Sequence, residues 1–299
     1  MPIAETTNPA ATSRNDAWLI QHRRNVHSQC GEDGVLEKIF EVLGEGDKWC
    51  VEFGAWDGKH FSNTRQLIAE RGWSGVLIEG DEARYQDLAR EAKITPGIVP
   101  LHAFVGYDGP DTLDKLLART AIPQDFSLLS IDIDGNDYHV WDAFKNYQPR
   151  AVVIEFNVTI PPDIDFVQAR DMAVSQGSSL KALTRLAQSK GYELVAATDW
   201  NGFFVRKDLF GLFGIQDNRP ETLWKDRQFD TRLFQLYDGT VVLAGCDRLL
   251  WHGVTLDISK VGVPAWLRVY RGRMTKTQQR LLKLWRRFKG RKAKPVASA

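Results

Sequence analysis

Short apolar runs alternate with stretches of helical spacing through the first two thirds of the chain. The run Trp49, Cys50, Val51 and Phe53 has the continuous apolar character of a strand buried on both faces. Similar runs follow at Gly75–Glu79, Ile98–Val105, Phe126–Ile133 and Ala151–Phe156. Between them lie helical patterns. Val35, Leu36, Ile39, Phe40 and Leu43 share one face, with Gly44 and Gly46 ending that helix. Thr64, Leu67 and Ile68 begin a second, Ala83 to Lys93 reads as a third, Thr112 to Leu117 as a fourth, and Leu180, Leu183, Leu186 and Ala187 lie on a later one capped by Ser178 or Ser179. A strand at Gly191–Val195, a turn at Asp199–Gly202 and a returning strand at Gly202–Arg206 close the series. Alternating strands and helices predict an α/β domain around a mostly parallel sheet.

The polar residues at the ends of those strands carry the candidate chemistry. Val51-Glu52-Phe53-Gly54-Ala55-Trp56-Asp57-Gly58 is a strand, a glycine turn and a helix approach, the unit with which open α/β sheets hold nucleotide-like ligands. A dinucleotide fingerprint wants G-x-G-x-x-G, yet Trp56 stands where the middle glycine belongs. Glu79 ends the second strand 21 residues after Gly58, a spacing suited to accepting hydrogen bonds from ribose hydroxyls. The fourth run leads into Asp132, Asp134, Asp137 and His139, and the fifth brings Glu155 and Asn157 to the same sheet edge. Carboxylates gathered there suit either proton removal or a hard cation. Ser28-Gln29-Cys30-Gly31-Glu32-Asp33-Gly34 reads as a helix start capped by Ser28 or Asp33, with a lid as the alternative.

Charge changes the picture at one end. The 299 residues sum to +1, but residues 271–294 hold eleven Lys/Arg and no acid, leaving 28 basic against 38 acidic residues elsewhere. An acidic body excludes a nucleic-acid footprint on the domain itself. In the tail, Leu281, Leu284, Trp285 and Phe288 line one face of a basic amphipathic helix, suited to an anionic membrane surface or to the chain's own acidic body. Three scattered cysteines make neither a disulfide framework nor a zinc pattern. With no apolar leader near the start and no membrane-length run, a soluble, cytoplasmic protein is expected, peripheral to the membrane if the tail binds there.

The motif E-x-G-x-x-x-G at Glu52, Gly54 and Gly58 resembles motif I of the class I S-adenosylmethionine-dependent methyltransferases. The full order is S-Q-C-G-E-D-G, V-E-F-G-A-W-D-G with S-N-T, G-W-S-G-V-L-I-E-G-D, T-L-D-K-L-L, S-I-D-I-D-G-N-D-Y and V-V-I-E-F-N. It is similar to the FkbM-type branch of that fold across about residues 28–205. The resemblance implies a Rossmann-like fold with seven strands, the last inserted antiparallel. It also implies O-methylation by S-adenosylmethionine of a sugar hydroxyl on a surface glycan, lipid-linked glycan or glycosylated metabolite. It assigns Glu52, Gly54, Ala55 and Gly58 to the methionine side of the cofactor and Asn63 and Thr64 to its carboxylate. Glu79 and Gly80 go to the ribose, with Asp132 at the acceptor edge. Candidate bases are Asp134, His139 and Asp132; candidate ligands for a metal such as Mg²⁺ are Asp132, Asp134 and Glu155. Asp134 stands where many members carry Glu, which alters the reach of that acid.

Four segments are expected: a flexible 1–27, the Rossmann-like domain 28–208, a subdomain 209–270 packed on it, and the basic tail 271–299. Thr159–Asp163 reads as a loop or lid near the acceptor, Tyr237–Thr240 as a hairpin turn, and Trp224, Trp251 and Trp266 as core aromatics. The competing function is an inactive Rossmann module that binds a glycan or protein partner; the intact Glu52, Gly54, Gly58 and Glu79 favour the enzyme.

Overall fold

Strands buried on both faces need apolar residues at every position, and the sheet of this protein is built from such runs. The computed structural model describes residues 15–225 and 228–289, apart from the side chains of Trp251 and Lys289. It divides into two compact units, Met1–Arg227 and Gln228–Ala299. In the first, α1 (Glu32–Leu43) precedes β1 (Trp49–Phe53), α2 (Arg65–Arg71), β2 (Ser74–Glu79), α3 (Glu82–Ala92) and β3 (Ile98–His102). Then follow α4 (Leu113–Leu117), β4 (Leu128–Ile131), α5 (Asp137–Ala143), β5 (Ala151–Glu155), α6 (Leu180–Ser189), β6 (Tyr192–Ala197) and β7 (Asn201–Arg206), with short helices α7 (Lys207–Phe210) and α8 (Pro220–Leu223) at the end.

The seven strands lie in the order β3-β2-β1-β4-β5-β7-β6. Six run parallel and β7 is inserted antiparallel between β5 and β6. This is the Rossmann-like order of class I methyltransferases. From β1 the chain builds outward to β2 and β3 on one side, then returns to lay β4 and β5 on the other. The strand order therefore reverses between β1 and β4, and a ligand crevice belongs outside their carboxyl ends. Register holds those ends level: Phe53 pairs with Ile78 on one side and Ile131 on the other.

Several local expectations shift. The third and fourth strands are shorter than their apolar runs, because Ala103–Val105 and Ile133 leave the ladder for loops. Gly31, in the left-handed region at φ 93°, is the N-cap residue of α1, in place of Ser28 or Asp33. Asp33 instead gathers the preceding loop: its Oδ2 accepts the backbone N–H groups of Val26, His27 and Ser28 and the Ser28 hydroxyl, each at 2.8 Å. Residues 15–27, expected to be flexible, are built into the unit. A 3-10 turn at Trp18–His22 buries Leu19, and the Trp18 indole donates to the Phe213 carbonyl oxygen. Residues 1–14 of that expectation lie outside the described residues.

Residues 209–225 belong with the first unit because Phe213, Leu223 and Trp224 are buried there, Trp224 edge-on to Phe156. The division thus falls at 227/228, where the sequence reading put it at 208/209. The second unit holds a hairpin of β8 (Thr231–Gln235) and β9 (Val241–Gly245), turning at 236–240 as expected. The pair β10 (Arg248–Leu249) and β11 (Val254–Thr255) follows, and α9 (Lys276–Lys289) comes last. Trp266, expected in a core, is 58% exposed. All three cysteines are free, and no helix among the described residues is long and apolar enough to cross a membrane.

Removing the Asp33 carboxylate would leave three backbone donors of a partly buried loop without an acceptor. Asp33→Ala is expected to lower unfolding stability by about 3 kcal/mol in denaturant titration, given about 1–3 kcal/mol per orphaned polar group. A change below about 0.5 kcal/mol contradicts this role.

Candidate functional site

At the switch point the backbones of two strand ends touch. Gly54 has φ +74°, and a Cβ placed on it would overlap the carbonyl oxygen of Asp132. Only glycine permits that approach and that dihedral together. Strain is concentrated nearby. Of the four non-glycine residues with positive φ among the described residues, Trp56 and Phe61 lie in the β1–α2 loop and Asp134 in the β4–α5 loop. Such conformations cluster where a loop is shaped for a ligand.

Glu79 joins β2 to this bend. Its Oε2 accepts the Trp56 backbone N–H and its Oε1 that of Asp81, both at 2.8 Å. A carboxylate has about four lone-pair positions, so roughly two remain for hydroxyl donors. Gly80 follows directly, and the exposed Phe104 ring occupies the space of its missing side chain. Trp56 does not fill the crevice: it is 39% exposed and carries the Arg84 guanidinium over its ring at 4.8 Å. Gly58, at φ +72°, closes the turn through its N–H to Ala55.

Glu52 has a different task from the one its motif suggests. Its buried carboxylate accepts the Ser62 and Thr64 hydroxyls at 2.6 and 2.7 Å and the Asn63 N–H at 2.8 Å. Burial pushes its pKa up, and those three hydrogen bonds oppose the shift. Asn63 and Thr64 are accordingly turned inward. The Asn63 amide donates to Ser130 on β4 and the Thr64 side chain is fully buried. The Thr64 hydroxyl is taken up by Glu52 and one Asn63 amide N–H by Ser130, so both side chains buttress the loop from beneath. Ser62, the third member of that turn, was not singled out in the sequence.

The acids at the other side converge. Carboxylate oxygens of Asp132, Asp134 and Glu155 lie within 4.8 Å of one another. Apart from the contact between Asp132 and Glu155, none of the three accepts a hydrogen bond from the described residues. Burial raises the Asp132 pKa to about 8, with Asp137, Asp134 and Glu52 adding repulsion. Burial, and then the charges of Asp132, Asp137 and Asp134, raise the Glu155 pKa well above its ordinary value. Asp137 stands apart: its two oxygens accept the Ile133 and Gly135 N–H groups at 2.9 Å, so it shapes the β4–α5 loop.

His139 touches the segment after β5. Its Nε2 donates to the Gln168 carbonyl oxygen at 2.9 Å, which in the neutral ring leaves the lone pair on Nδ1. Residues 156–178 form no helix or strand yet are tightly ordered around Gln168. The Gln168 Oε1 accepts the N–H groups of Gln176 and Gly177, and its Nε2 donates to Val174. Asn136 at the start of α5 donates to Asp171 and Val174. Arg170 lies over Tyr107, whose ring is edge-on to His139. The expected loop is thus a strap tied to α5, and Gln168, its organising residue, has no motif that would reveal it.

No protein-family profile and no curated protein matches the chain. Solved structures do match. The N-terminal domain of EvdMO1 with SAH bound is 12% identical over 58% of this chain and 80% of that one, TM-score 0.39. A SAM dependent methyltransferase from Aquifex aeolicus is 10% identical over 57% and 87%, TM-score 0.35. The CcbJ methyltransferase from Streptomyces caelestis is 12% identical over 64% and 95%, TM-score 0.37. Likeness this distant carries no argument about activity, and the fold assignment rests on the strand order.

Two outcomes follow from the geometry. Gly54→Ala should cost about 1–3 kcal/mol through backbone strain and displaced Asp132, read by thermal unfolding. In metal-free buffer, stability should fall as pH rises. Asp132 is protonated in the fold up to about 8 but ionises near 3.9 when unfolded. Its contribution is therefore complete below about pH 4 and lost as pH climbs through about 8. Asp132→Asn should flatten that slope in unfolding titrations from acid to mildly alkaline pH, and an unchanged slope contradicts the assignment.

Proposed function

We propose that this protein is an S-adenosylmethionine-dependent O-methyltransferase acting on a sugar hydroxyl of a glycan or glycosylated metabolite. The observation that carries the reading is the Glu79 carboxylate, held against the Gly54–Gly58 bend by the Trp56 N–H with lone pairs to spare. A nucleoside has two adjacent ribose hydroxyls to offer such an acceptor, and the bend leaves backbone, not side chain, beside the rest of the molecule. The Rossmann-like strand order, with β7 inserted antiparallel, supports the same cofactor class.

The chemistry supplied by bound S-adenosylmethionine is an electrophilic methyl group. What the chain must do is hold an acceptor oxygen in line with it and remove a proton as that oxygen attacks. Asp134 is suited to take the proton, since it is exposed and accepts no hydrogen bond from the described residues. His139 Nδ1 is the second acceptor at this edge, its ring fixed by Gln168. The strap at 156–178 forms a wall that positions the acceptor. Three carboxylates that, apart from the Asp132–Glu155 contact, accept no hydrogen bond from the described residues also fit a divalent cation such as Mg²⁺, which prefers hard oxygen ligands. Asp132, Asp134 and Glu155 would hold it, and it would polarise the hydroxyl and lower its pKa.

Titration calorimetry with S-adenosylhomocysteine should show binding to the wild type and an affinity roughly tenfold to hundredfold weaker in Glu79→Gln, as expected for loss of charge-assisted hydrogen bonds. No heat with the wild type, or equal affinity in both proteins, refutes the reading. Mg²⁺ should raise the melting temperature of the wild type and leave Asp132→Asn unchanged. Equal shifts in both proteins would remove the metal from the account while leaving the cofactor untouched.

A further inference from the structure

The last described helix has a surface that the methyl-transfer site does not explain. Helix α9 starts with a reciprocal cap. The Gln278 N–H donates to the Thr275 hydroxyl, and the Gln278 side chain accepts the Thr275 N–H at 3.0 Å. Local sequence therefore sets its first turn without help from a neighbour. Over its 14 residues, Leu281, Leu284, Trp285 and Phe288 recur at helical spacing and fall within an arc of about 100°. Leu284 is 49% and Phe288 85% exposed, so this apolar stripe faces water in the isolated chain.

The opposite arc is polar and mostly cationic. Lys276, Arg280, Lys283, Arg286 and Arg287 lie there with the neutral Gln279, and the helix contains no acid. Among the described residues none of these five forms an ion pair. A partner for α9 must therefore satisfy two demands at once: negative charge for the cations and an apolar interior for Leu284 and Phe288. A nucleic acid meets the first and leaves the apolar stripe in water. A neutral apolar groove meets the second and leaves the cations uncompensated. An anionic bilayer surface meets both, because Lys and Arg stems bend their charged ends toward the headgroups while the stripe sinks among the acyl chains.

We propose that α9 docks the protein on an anionic lipid surface, lying in its plane with Leu281, Leu284, Trp285 and Phe288 buried among the acyl chains. The inference stands on the helix alone and is independent of the proposed methyl transfer. It does place the enzyme where a lipid-linked glycan would be presented.

The test is co-sedimentation of the full-length protein with vesicles of phosphatidylcholine and phosphatidylglycerol in equal parts, against vesicles of phosphatidylcholine alone. Binding is expected only to the anionic vesicles, with release in high salt as screening shortens the field. Neutralising Arg280, Lys283, Arg286 and Arg287 to Gln should weaken the partition coefficient about fivefold per charge. Leu284→Glu with Phe288→Glu should abolish binding while leaving the circular-dichroism spectrum and S-adenosylhomocysteine affinity unchanged. Failure of the wild type to sediment, as if α9 were held by the chain's own acidic body, overturns the proposal. So does equal binding to neutral vesicles. So does wild-type binding by the Leu284→Glu, Phe288→Glu protein, which would mark a purely electrostatic polyanion site such as one for nucleic acid.

Discussion

The contact between the Gly54 backbone and the Asp132 carbonyl oxygen brings the first and fourth strand ends together, and the crevice is shaped around it. With no side chain in the way, the β1–α2 loop bends over the sheet edge, and its next two amides, those of Ala55 and Trp56, reach the Ile78 carbonyl oxygen and the Glu79 carboxylate on β2. Three strands thereby contribute to one hollow: a bend from β1, a carboxylate from β2 and an acidic cluster from β4 and β5. The strained dihedrals of Trp56, Phe61 and Asp134 are the local consequence of forcing two loops to meet there.

Three kinds of carboxylate result, separated by their partners and not by sequence. Glu52, Asp33 and Asp137 accept backbone or hydroxyl donors from their own loops and act as fasteners, with Asp33 Oδ1 left unpartnered among the described residues. Glu79 is half-satisfied and keeps capacity for a ligand. Asp132, Asp134 and Glu155 receive no donor from the described residues beyond the Asp132–Glu155 contact, which leaves repulsion to be relieved by a proton or a cation.

The sheet was legible from the chain alone because strands buried on both faces read as nearly continuous apolar runs such as 49–53 and 151–155, each holding one glutamate. The reversal point was legible too, since Gly54, Gly58 and Glu79 mark it by residue type and spacing. Side-chain direction was not. Asn63 and Thr64 have the chemistry to hold a ligand, and only the fold shows that both face inward to Glu52 and Ser130. The strap at 156–178 was hidden for a related reason. It is ordered by one glutamine bonding to loop backbone, and such bonds leave no periodic trace in sequence. The division at 227/228 was likewise invisible, because it depends on which core Phe213 and Trp224 join.

The central claim is that this bend and the neighbouring carboxylate form a single nucleoside-binding cradle. A crystal structure of the protein grown with S-adenosylhomocysteine tests it most directly. The account predicts both ribose hydroxyls within hydrogen-bond distance of the Glu79 carboxylate and the sulfur end of the ligand turned toward Asp132 and Asp134. Ligand density elsewhere on the protein, or ribose hydroxyls bonded to other groups while Glu79 keeps only its Trp56 and Asp81 amides, would contradict it.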